Sequence, residues 1–391
     1  MFNSVSGLIS IIIIATLLGL IFFYFFPNFT PNVPEYTPEE KLNMLLTETP
    51  QIKTFSDTKI LGWIPYWDQS NAFDSFKNNA EIFDYISLFW YYLDSNEKIK
   101  KYTSAIEDEN IINFAHQKGV KVLAVIANLP DYTEGGDWNS ERVEEIISSA
   151  SLRQRHINDI VELVRRNNFD GVDIDYEALK KTDRNNFTIF IKELSKVLHN
   201  EGKLLGVAIH PKTSENKPSE DNGSHAQDWE KLHPYIDQMY FMLYSEYNLE
   251  TKPGPNASVN WADKILDYAV NKVKVPKEKI FFGIPFYGHE WVKTEKNQYQ
   301  GLDSDVTFSN VKFLSEDNNL PFKWDEASKT PYFVYTKNGK EHIIWFENSD
   351  SFEAKLFLKE KYGIPNLGFW RLGAEDLKVW EILRLSEISN H

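Results

Sequence analysis

Short apolar runs alternate with amphipathic stretches along most of the chain, from Lys59 onward. The apolar runs have the length of β-strands, and the stretches between them repeat apolar residues at helical spacing, as Ile157, Ile160 and Val164 do. This alternation is typical of repeated βα units around a parallel sheet. The predicted strands cover residues 59–66, 83–90, 120–127, 169–177, 203–210, 237–244, 279–287 and 366–372.

Eight strands with intervening helices predict a (β/α)8 barrel, also called a TIM barrel, whose active site lies at the carboxyl ends of the strands. The interval between the last two predicted strands is too long for one helix. It contains TPYFVYTKNGKEHIIWF, which is typical of two strands around an Asn338-Gly339 turn. We therefore expect a barrel domain over residues 56–391, with a small α+β insertion at approximately 292–350.

The N-terminal segment has a different pattern. Residues 8–26 are mostly apolar and carry no charge, and a helix needs about 20 such residues to cross a bilayer. We predict a transmembrane anchor at 1–27, followed by a proline-containing extended linker at 28–55. A cleaved signal peptide is the alternative, but the segment has no basic leading region and no small-x-small cleavage site before Pro27.

Composition narrows the possible partners. The formal net charge of -15, without a cluster of Lys and Arg, argues against nucleic acid, because phosphate binding needs a basic surface. The chain has no cysteine, which excludes disulfides, thiolate metal sites and cysteine nucleophiles. Aromatic residues make up 15% of the chain, enough for packing and for stacking against a flat ligand face. A neutral ligand fits this composition.

The segment DGVDIDYE, residues 170–177, places four carboxylates in one predicted strand. Because side chains alternate along a strand, Asp173, Asp175 and Glu177 share one face, and the residues between them face the helices. The acids therefore line the barrel interior, with Glu177 nearest the mouth at the carboxyl ends of the strands. Crowded carboxylates raise one another's pKa, so at least one keeps a proton. A protonated acid above an ionised one suits general acid catalysis near neutral pH.

Two other interpretations of these acids stay open on the residues alone. The acids could bind a divalent cation, or they could pair with buried Arg or Lys. The segment has no histidine partner and no hydroxyl-rich loop beside it, which disfavours a cation. Asp170, which precedes Gly171, is predicted to be a strand-entry residue. We predict no metal and no cofactor.

The segment DGVDIDYE resembles the DGxDxDxE signature of glycoside hydrolase family 18, the chitinase-like enzymes. The resemblance extends over roughly residues 59–380: FMLYSE is similar to the family's M-x-Y-D segment, FFGIPFYGHEW to its G-x-P-x-Y-G-x-x-W segment, and LGFWRLGAED to the segment that supplies a tryptophan. Within the family, DYEALKKTDRNNFTIFIKELSKVLH and VAIHPKT are most similar to bacterial spore-cortex and cell-wall N-acetylglucosaminidases.

This resemblance implies a mechanism. Glu177 is implied to protonate the glycosidic oxygen, and the substrate's own 2-acetamido group is implied to act as nucleophile through an oxazolinium ion, with retention of configuration. Asp175 is implied to orient the acetamido N–H, Asp173 to tune Asp175, and Tyr244 to donate a hydrogen bond to the acetamido carbonyl. Trp370 is implied to form the floor beneath the reacting sugar.

Other residues near strand ends are candidates for sugar binding. The aromatic candidates and one amide at the end of the third predicted strand are Tyr66, Trp67, Trp90, Tyr91 and Asn128. His210 ends the fifth predicted strand and is expected to be a packed or hydrogen-bonded residue. Two segments depart from the family pattern: Ser245 stands in place of an acid, for which Glu246 is a candidate substitute, and AVIAN stands where many chitinases have Ser-x-Gly-Gly.

We therefore expect a monomeric, membrane-tethered hydrolase that acts on β-linked N-acetylglucosamine polymers at the bacterial cell surface. Peptidoglycan or a related wall or exopolysaccharide is the first substrate expectation, and chitin is the second. A chitinase-like lectin that binds the glycan without cleaving it is the alternative. Such relatives usually lose the terminal glutamate, whereas Glu177 is present here.

Overall fold

The structure is a computed structural model that describes residues 58–215, 217 and 223–388. The predicted anchor at 1–27 and linker at 28–55 lie outside these residues. Among the residues that are described, no helix is both long and apolar enough to span a bilayer.

The described residues form strands and helices in regular alternation. The strands are β1 Ile60–Pro65, β2 Tyr85–Leu93, β3 Ile99–Lys101, β4 Lys121–Ala127, β5 Gly171–Asp175, β6 Leu204–Ile209, β7 Gln238–Phe241, β8 Ile280–Pro285, β9 Tyr287–Lys293, β10 Tyr299–Thr307, β11 Lys323–Asp325, β12 Thr330–Lys337, β13 Lys340–Trp345 and β14 Asn366–Trp370. The α-helices are α1 Gln69–Asn78, α2 Glu109–Gln117, α3 Ser140–Ser148, α4 Ala150–Arg166, α5 Arg184–Asn200, α6 Trp229–Leu232, α7 Val259–Asp267, α8 Phe308–Asn318, α9 Ser349–Tyr362 and α10 Lys378–Ile388.

The predicted (β/α)8 barrel is confirmed. Parallel strands pair in the order β1-β14-β8-β7-β6-β5-β4-β2, and the pairing of β1 with β2 closes the ring. The short β3 adds an antiparallel edge to β2. The amphipathic pattern from the sequence is also present, since α4 buries Ile157, Ile160 and Val164. The carboxyl ends of the barrel strands therefore meet at one mouth.

Aromatic side chains fill the barrel interior below the acids. The ring of Tyr240 on β7 lies across β6, where a Cβ added at Gly206 would lie 2.2 Å from the Tyr240 hydroxyl oxygen. Only glycine leaves room for this ring. The rings of Trp63 and Tyr240 then meet edge to face, with centroids 5.2 Å apart. Asp173 on β5 contacts this packing directly, because its carboxylate accepts a hydrogen bond from Trp63.

A second, antiparallel sheet follows β8 after one residue. Its five strands are ordered β10-β9-β13-β12-β11, and α8 packs beside them. Asn338 and Gly339 both have positive φ and connect β12 to β13 through a two-residue turn, as expected from their sequence. This sheet has a small hydrophobic core of its own, formed by Val306, Val311, Phe333, Tyr335, Ile344 and Phe346.

Candidate active site

The three acids of the β5 segment lie in the barrel interior at increasing height. Asp173 and Asp175 are buried, with exposed fractions of 1% and 9%, whereas Glu177 is partly exposed. Asp175 is the last residue of β5, and Glu177 lies two residues beyond the end of the strand. Exposure therefore rises toward the mouth, and Glu177 is the acid that a ligand in the mouth meets first.

Asp173 is the deepest of these acids. Its Oδ2 accepts a hydrogen bond from Trp63 Nε1 at 2.8 Å. Burial raises the pKa of Asp173 to about 7, and the hydrogen bond from Trp63 opposes that rise because it stabilises the charged form. Asp173 is thus fixed in place beneath Asp175.

Asp175 and Glu177 form a coupled pair. Burial, and then the charges of Glu177 and Asp173, raise the pKa of Asp175 well above its usual range. Burial, followed by the charge of Asp137, raises the pKa of Glu177 to about 8, while a hydrogen bond with Asp175 acts in the opposite direction. Because two carboxyl groups that share a hydrogen bond cannot both ionise at low cost, the pair of Asp175 and Glu177 keeps a proton near neutral pH.

Asn128, expected from the sequence to line the cleft, is fully buried. Its Oδ1 accepts a hydrogen bond from the backbone N–H of Glu177 at 2.8 Å, and its Nδ2 donates to the backbone carbonyl of Glu177 at 2.9 Å. Glu177 lies beyond β5, where the strand ladder no longer pairs its backbone. The side chain of Asn128 therefore replaces the missing ladder and fixes the position of Glu177.

Replacing Asn128 by Leu is expected to lower the free energy of unfolding by about 2–6 kcal/mol, because two backbone groups of Glu177 lose their partners. Denaturant unfolding measures this change. The matched control is Asn113→Leu, at an exposed position on α2, which is expected to change stability by about 0.5 kcal/mol or less. Equal effects of the two substitutions would contradict the structural role of Asn128.

Tyr244 lies beside the carboxylate pair, three residues after β7. Burial raises the pKa of its hydroxyl well above the usual range, and nearby Tyr287, Asp175 and Glu177 act in the same direction. Tyr244 is therefore a neutral hydroxyl at neutral pH. The rings of Tyr244 and Tyr287 meet edge to face, with centroids 6.1 Å apart.

The aromatic residues at the ends of β1 and β14 lie together. Trp370 is partly exposed, and its ring centroid lies 6.1 Å from that of Trp63, 6.1 Å from that of Trp67 and 5.7 Å from that of Phe89. Trp67 is 45% exposed. Tyr66 packs edge to face against Trp67, with centroids 5.1 Å apart. These side chains form an aromatic wall of the kind that packs against sugar C–H surfaces.

A family model for glycosyl hydrolases family 18 matches residues 60–375, which is most of the chain. The chain belongs to this family. It is therefore a chitinase-like glycoside hydrolase, and the enzyme class predicted from the sequence is confirmed.

The relatives of this family 18 chain include Bacillus proteins named as a glycosylase and as a cortical fragment-lytic enzyme. The Bacillus subtilis (strain 168) protein YdhD, named as a sporulation-specific glycosylase, is 28% identical over 288 residues, covering 73% of this chain and 65% of YdhD. The cortical fragment-lytic enzyme of the same organism is 24% identical over 282 residues, covering 70% of this chain and 62% of that enzyme. The predicted resemblance to the spore-cortex branch is thus confirmed. The chain spans less than two thirds of the length of either relative.

The fold also agrees with that of a solved chitinase structure. A chitinase from Chromobacterium violaceum ATCC 12472 superposes with a TM-score of 0.74 and 24% identity, covering 84% of this chain and 98% of that one. At this identity the likeness concerns the fold.

Two predicted sugar-binding residues have other contacts in this family 18 structure. Trp90 is 1% exposed, packs against Phe169, and donates from Nε1 to Gln69, so a sugar ring has no access to it. Its neighbour Tyr91 is also buried and donates to Glu107. We therefore correct the prediction of Trp90 and Tyr91 as sugar-binding residues.

Glu246, the candidate substitute for the missing acid, is engaged at a helix start. Its Oε2 accepts a hydrogen bond from the backbone N–H of Ser258, the residue before α7, at 2.9 Å. Ser245 has a positive φ of 63°, and its hydroxyl lies 3.1 Å from the hydroxyl of Tyr287. The family's acid position therefore carries a neutral hydroxyl pair here, and Glu246 has a structural partner.

Three groups around the acids were not assigned to the site from the sequence. His210 lies with its Nε2 3.5 Å from Glu177 Oε2. Asp137 acts on the pKa of Glu177 from the loop between β4 and α3. Tyr287 contacts Tyr244 from the start of β9. Over the described residues, no group of three or more His, Asp or Glu side chains is arranged to hold a metal ion.

Proposed function

We propose that this protein is a retaining hydrolase of β-linked N-acetylglucosamine-containing glycans that uses the substrate's acetamido group as nucleophile. The observation that carries this proposal is the stack of three acids, whose outermost member, Glu177, faces the mouth. Burial raises the pKa of Glu177 to about 8. Such a group can act as a general acid at neutral pH. The acids beneath it can stabilise the positive charge that develops on the substrate.

In the first step, Glu177 gives its proton to the glycosidic oxygen, and the bond from that oxygen to C1 breaks. The acetamido carbonyl oxygen forms the new bond to C1, which yields an oxazolinium ion and a departing alcohol. In the second step, water attacks C1 while the Glu177 carboxylate takes a proton from it, and the bond from C1 to the acetamido oxygen breaks, which restores the acetamido group. Two inversions at C1 give net retention.

Asp175, Asp173 and Tyr244 are proposed to hold the acetamido group. The Asp175 carboxylate accepts from the acetamido N–H and stabilises the oxazolinium charge, while Tyr244, a neutral hydroxyl, donates to the carbonyl oxygen. Asp173, fixed by Trp63, influences the charge of Asp175 from below. Trp370 is proposed as the floor beneath the reacting sugar, and its position among Trp63, Trp67 and Phe89 supports that role.

The proposed substrate is peptidoglycan or a related wall glycan, and chitin comes second. Likeness to an enzyme named as cortical fragment-lytic supports this order. Tyr66 and Glu246 stay proposed substrate-binding residues. The anchor at 1–27, the linker at 28–55, the cell-surface location and the monomeric state stay predictions.

The pH dependence follows from the raised pKa of Glu177. Because the folded-state pKa is raised to about 8, Glu177 stays protonated through neutral pH and loses its proton only as the pH passes that value. We expect kcat/KM on N-acetylglucosamine oligomers to fall as the pH rises through about 8. A rate profile over the acid, neutral and alkaline ranges measures this. A fall centred in the ordinary glutamate range would contradict the assignment.

The substrate proposal is tested by incubating the full chain with purified peptidoglycan, chitin and poly-N-acetylglucosamine and measuring released reducing ends. Release from peptidoglycan that exceeds release from chitin supports the proposed order. Faster release from chitin would reverse it. Absence of release from all three polymers and from their oligomers would overturn the proposed activity.

A further inference from the structure

His210 is a buried residue that directly follows β6 and meets the outermost acid. Its Nε2 lies 3.5 Å from Oε2 of Glu177, and its side chain is almost entirely inaccessible to solvent. The two proposed catalytic steps do not use this contact.

The backbone around His210 is held by a buried amide, in the same way as the backbone of Glu177. Gln227 Oε1 accepts from the backbone N–H of His210 at 2.8 Å, and Gln227 Nε2 donates to the carbonyl of Ala208 at 2.8 Å. Asn128 holds both backbone groups of Glu177. Two buried amides therefore fix the two residues whose side chains meet.

Gly223 brings a further segment against the pair. Its φ is +109°, a conformation that side chains rarely adopt. A Cβ added there would lie 2.9 Å from the backbone nitrogen of Ala178 and 3.1 Å from Nε2 of His210. Only glycine lets this segment pass against both the residue after Glu177 and the imidazole ring.

Lys212, a buried lysine shortly after β6, binds the segment that follows Gly223. Lys212 donates from Nζ to the carbonyls of Ser224 and Gln227, at 3.0 Å and 2.5 Å, and lies 3.0 Å from Oε1 of Glu215. The ammonium also lies over the ring of Trp229, 4.8 Å from its centroid. Since moving such a charge would leave it desolvated and unpaired, the network resists displacement of the His210 ring.

We propose that His210 is a positioning residue that holds the carboxyl group of Glu177 by donating from Nε2–H to Oε2, the 3.5 Å separation closing to hydrogen-bond length when a glycan fills the mouth. This inference rests on the proposed role of Glu177 as general acid. The hydrogen bond at Oε2 directs the other carboxyl oxygen, with its proton, toward the glycosidic oxygen. It also stabilises the carboxylate that remains after the proton leaves.

The test compares leaving groups, because a poor leaving group needs the acid's proton and a good one does not. We expect His210→Leu to lower kcat/KM on the N-acetylglucosamine tetramer by about 10–100-fold. On a 4-nitrophenyl glycoside of the dimer, the expected loss is under about 3-fold. His210→Gln, which keeps an N–H donor, is expected to restore most of the tetramer activity.

The matched control is His156→Leu. His156 is also buried and bonds the hydroxyl of Tyr176, on the opposite face of the same segment from the acids. His156→Leu is expected to lower the stability of the protein without changing kcat/KM on the tetramer relative to kcat/KM on the 4-nitrophenyl glycoside. If His210→Leu does not fold, His210→Met takes its place.

Equal losses on both substrates, or no loss on the tetramer, would overturn the inference. Failure of the underlying function is distinguished by Glu177→Gln. If Glu177→Gln is inactive on the tetramer while His210→Leu has normal activity, only the role of His210 is refuted and the general-acid role of Glu177 stands. If Glu177→Gln keeps tetramer activity, the general-acid role itself is refuted.

Discussion

Replacing Glu177 by Gln is expected to lower the rate of cleavage of N-acetylglucosamine oligomers by about 10²–10⁴-fold, the range that general acid–base catalysis supplies. The amide has nearly the same shape as the acid but no proton of suitable acidity. The contacts of Asn128 involve only the backbone of residue 177, so they do not depend on this side chain. Oligomer binding is therefore expected to persist while release of reducing ends is lost, and both are measurable on one preparation.

The control for this prediction is Glu144→Gln on α3, where the half-exposed carboxylate pairs with Lys180. That variant is expected to keep activity within about 2-fold, since a surface pair contributes little to stability. Unchanged activity in Glu177→Gln would contradict the account. A native chain that binds oligomers and releases none at acid or neutral pH would instead be a chitinase-like lectin.

Replacing Asp175 by Asn is expected to lower kcat by about 10²–10³-fold, as removal of a preorganised electrostatic group does in other enzymes. The amide cannot provide the negative charge that is proposed to stabilise the oxazolinium ion. Because that positive charge develops only along the reaction, kcat and kcat/KM should fall together while KM changes little. Initial rates over a range of oligomer concentrations measure both parameters.

Asp170→Asn is the control within the same segment. Asp170 accepts from the backbone N–H of Val122 and lies 2.9 Å from Nε2 of His116, at the entry of β5 rather than at its mouth end. Its substitution is expected to affect stability and to leave kcat nearly unchanged. A fall in kcat as large as that of Asp175→Asn would mean that strand distortion, not charge at the site, explains both.

The barrel was predictable because short apolar runs mark its strands and apolar residues at helical spacing mark its helices. Boundaries were less predictable. The predicted sixth strand reaches residue 244, whereas β7 ends at Phe241, because the following residues leave the ladder and place Tyr244 in the site. The insertion was expected to begin near 292, but β9 begins at Tyr287, since the apolar run FFGIPFYGHEW continues through the boundary.

Within the site, strand alternation was enough to place Asp173, Asp175 and Glu177 on the interior face. Alternation was not enough for Tyr91, because the register of β2 against β4 shifts between Phe89 and Tyr91. One extra residue reverses the faces of the residues that follow it.

The contacts of Asn128 and His210 could not be predicted from spacing. Asn128 bonds the backbone of a residue 49 positions away, and the position of His210 depends on Gln227, 17 positions further on. A polar residue at a strand end is compatible with lining a cleft or with holding a neighbouring strand. Only the long-range packing distinguishes these roles.

The stereochemistry of the first product tests the central claim most directly, because the acetamido group can act as nucleophile only if C1 is inverted twice. Proton NMR of an N-acetylglucosamine oligomer during the early phase of cleavage reports which anomer is released before mutarotation. Two inversions at C1 predict the β-anomer. Initial release of the α-anomer would mean a single displacement by water and would contradict it.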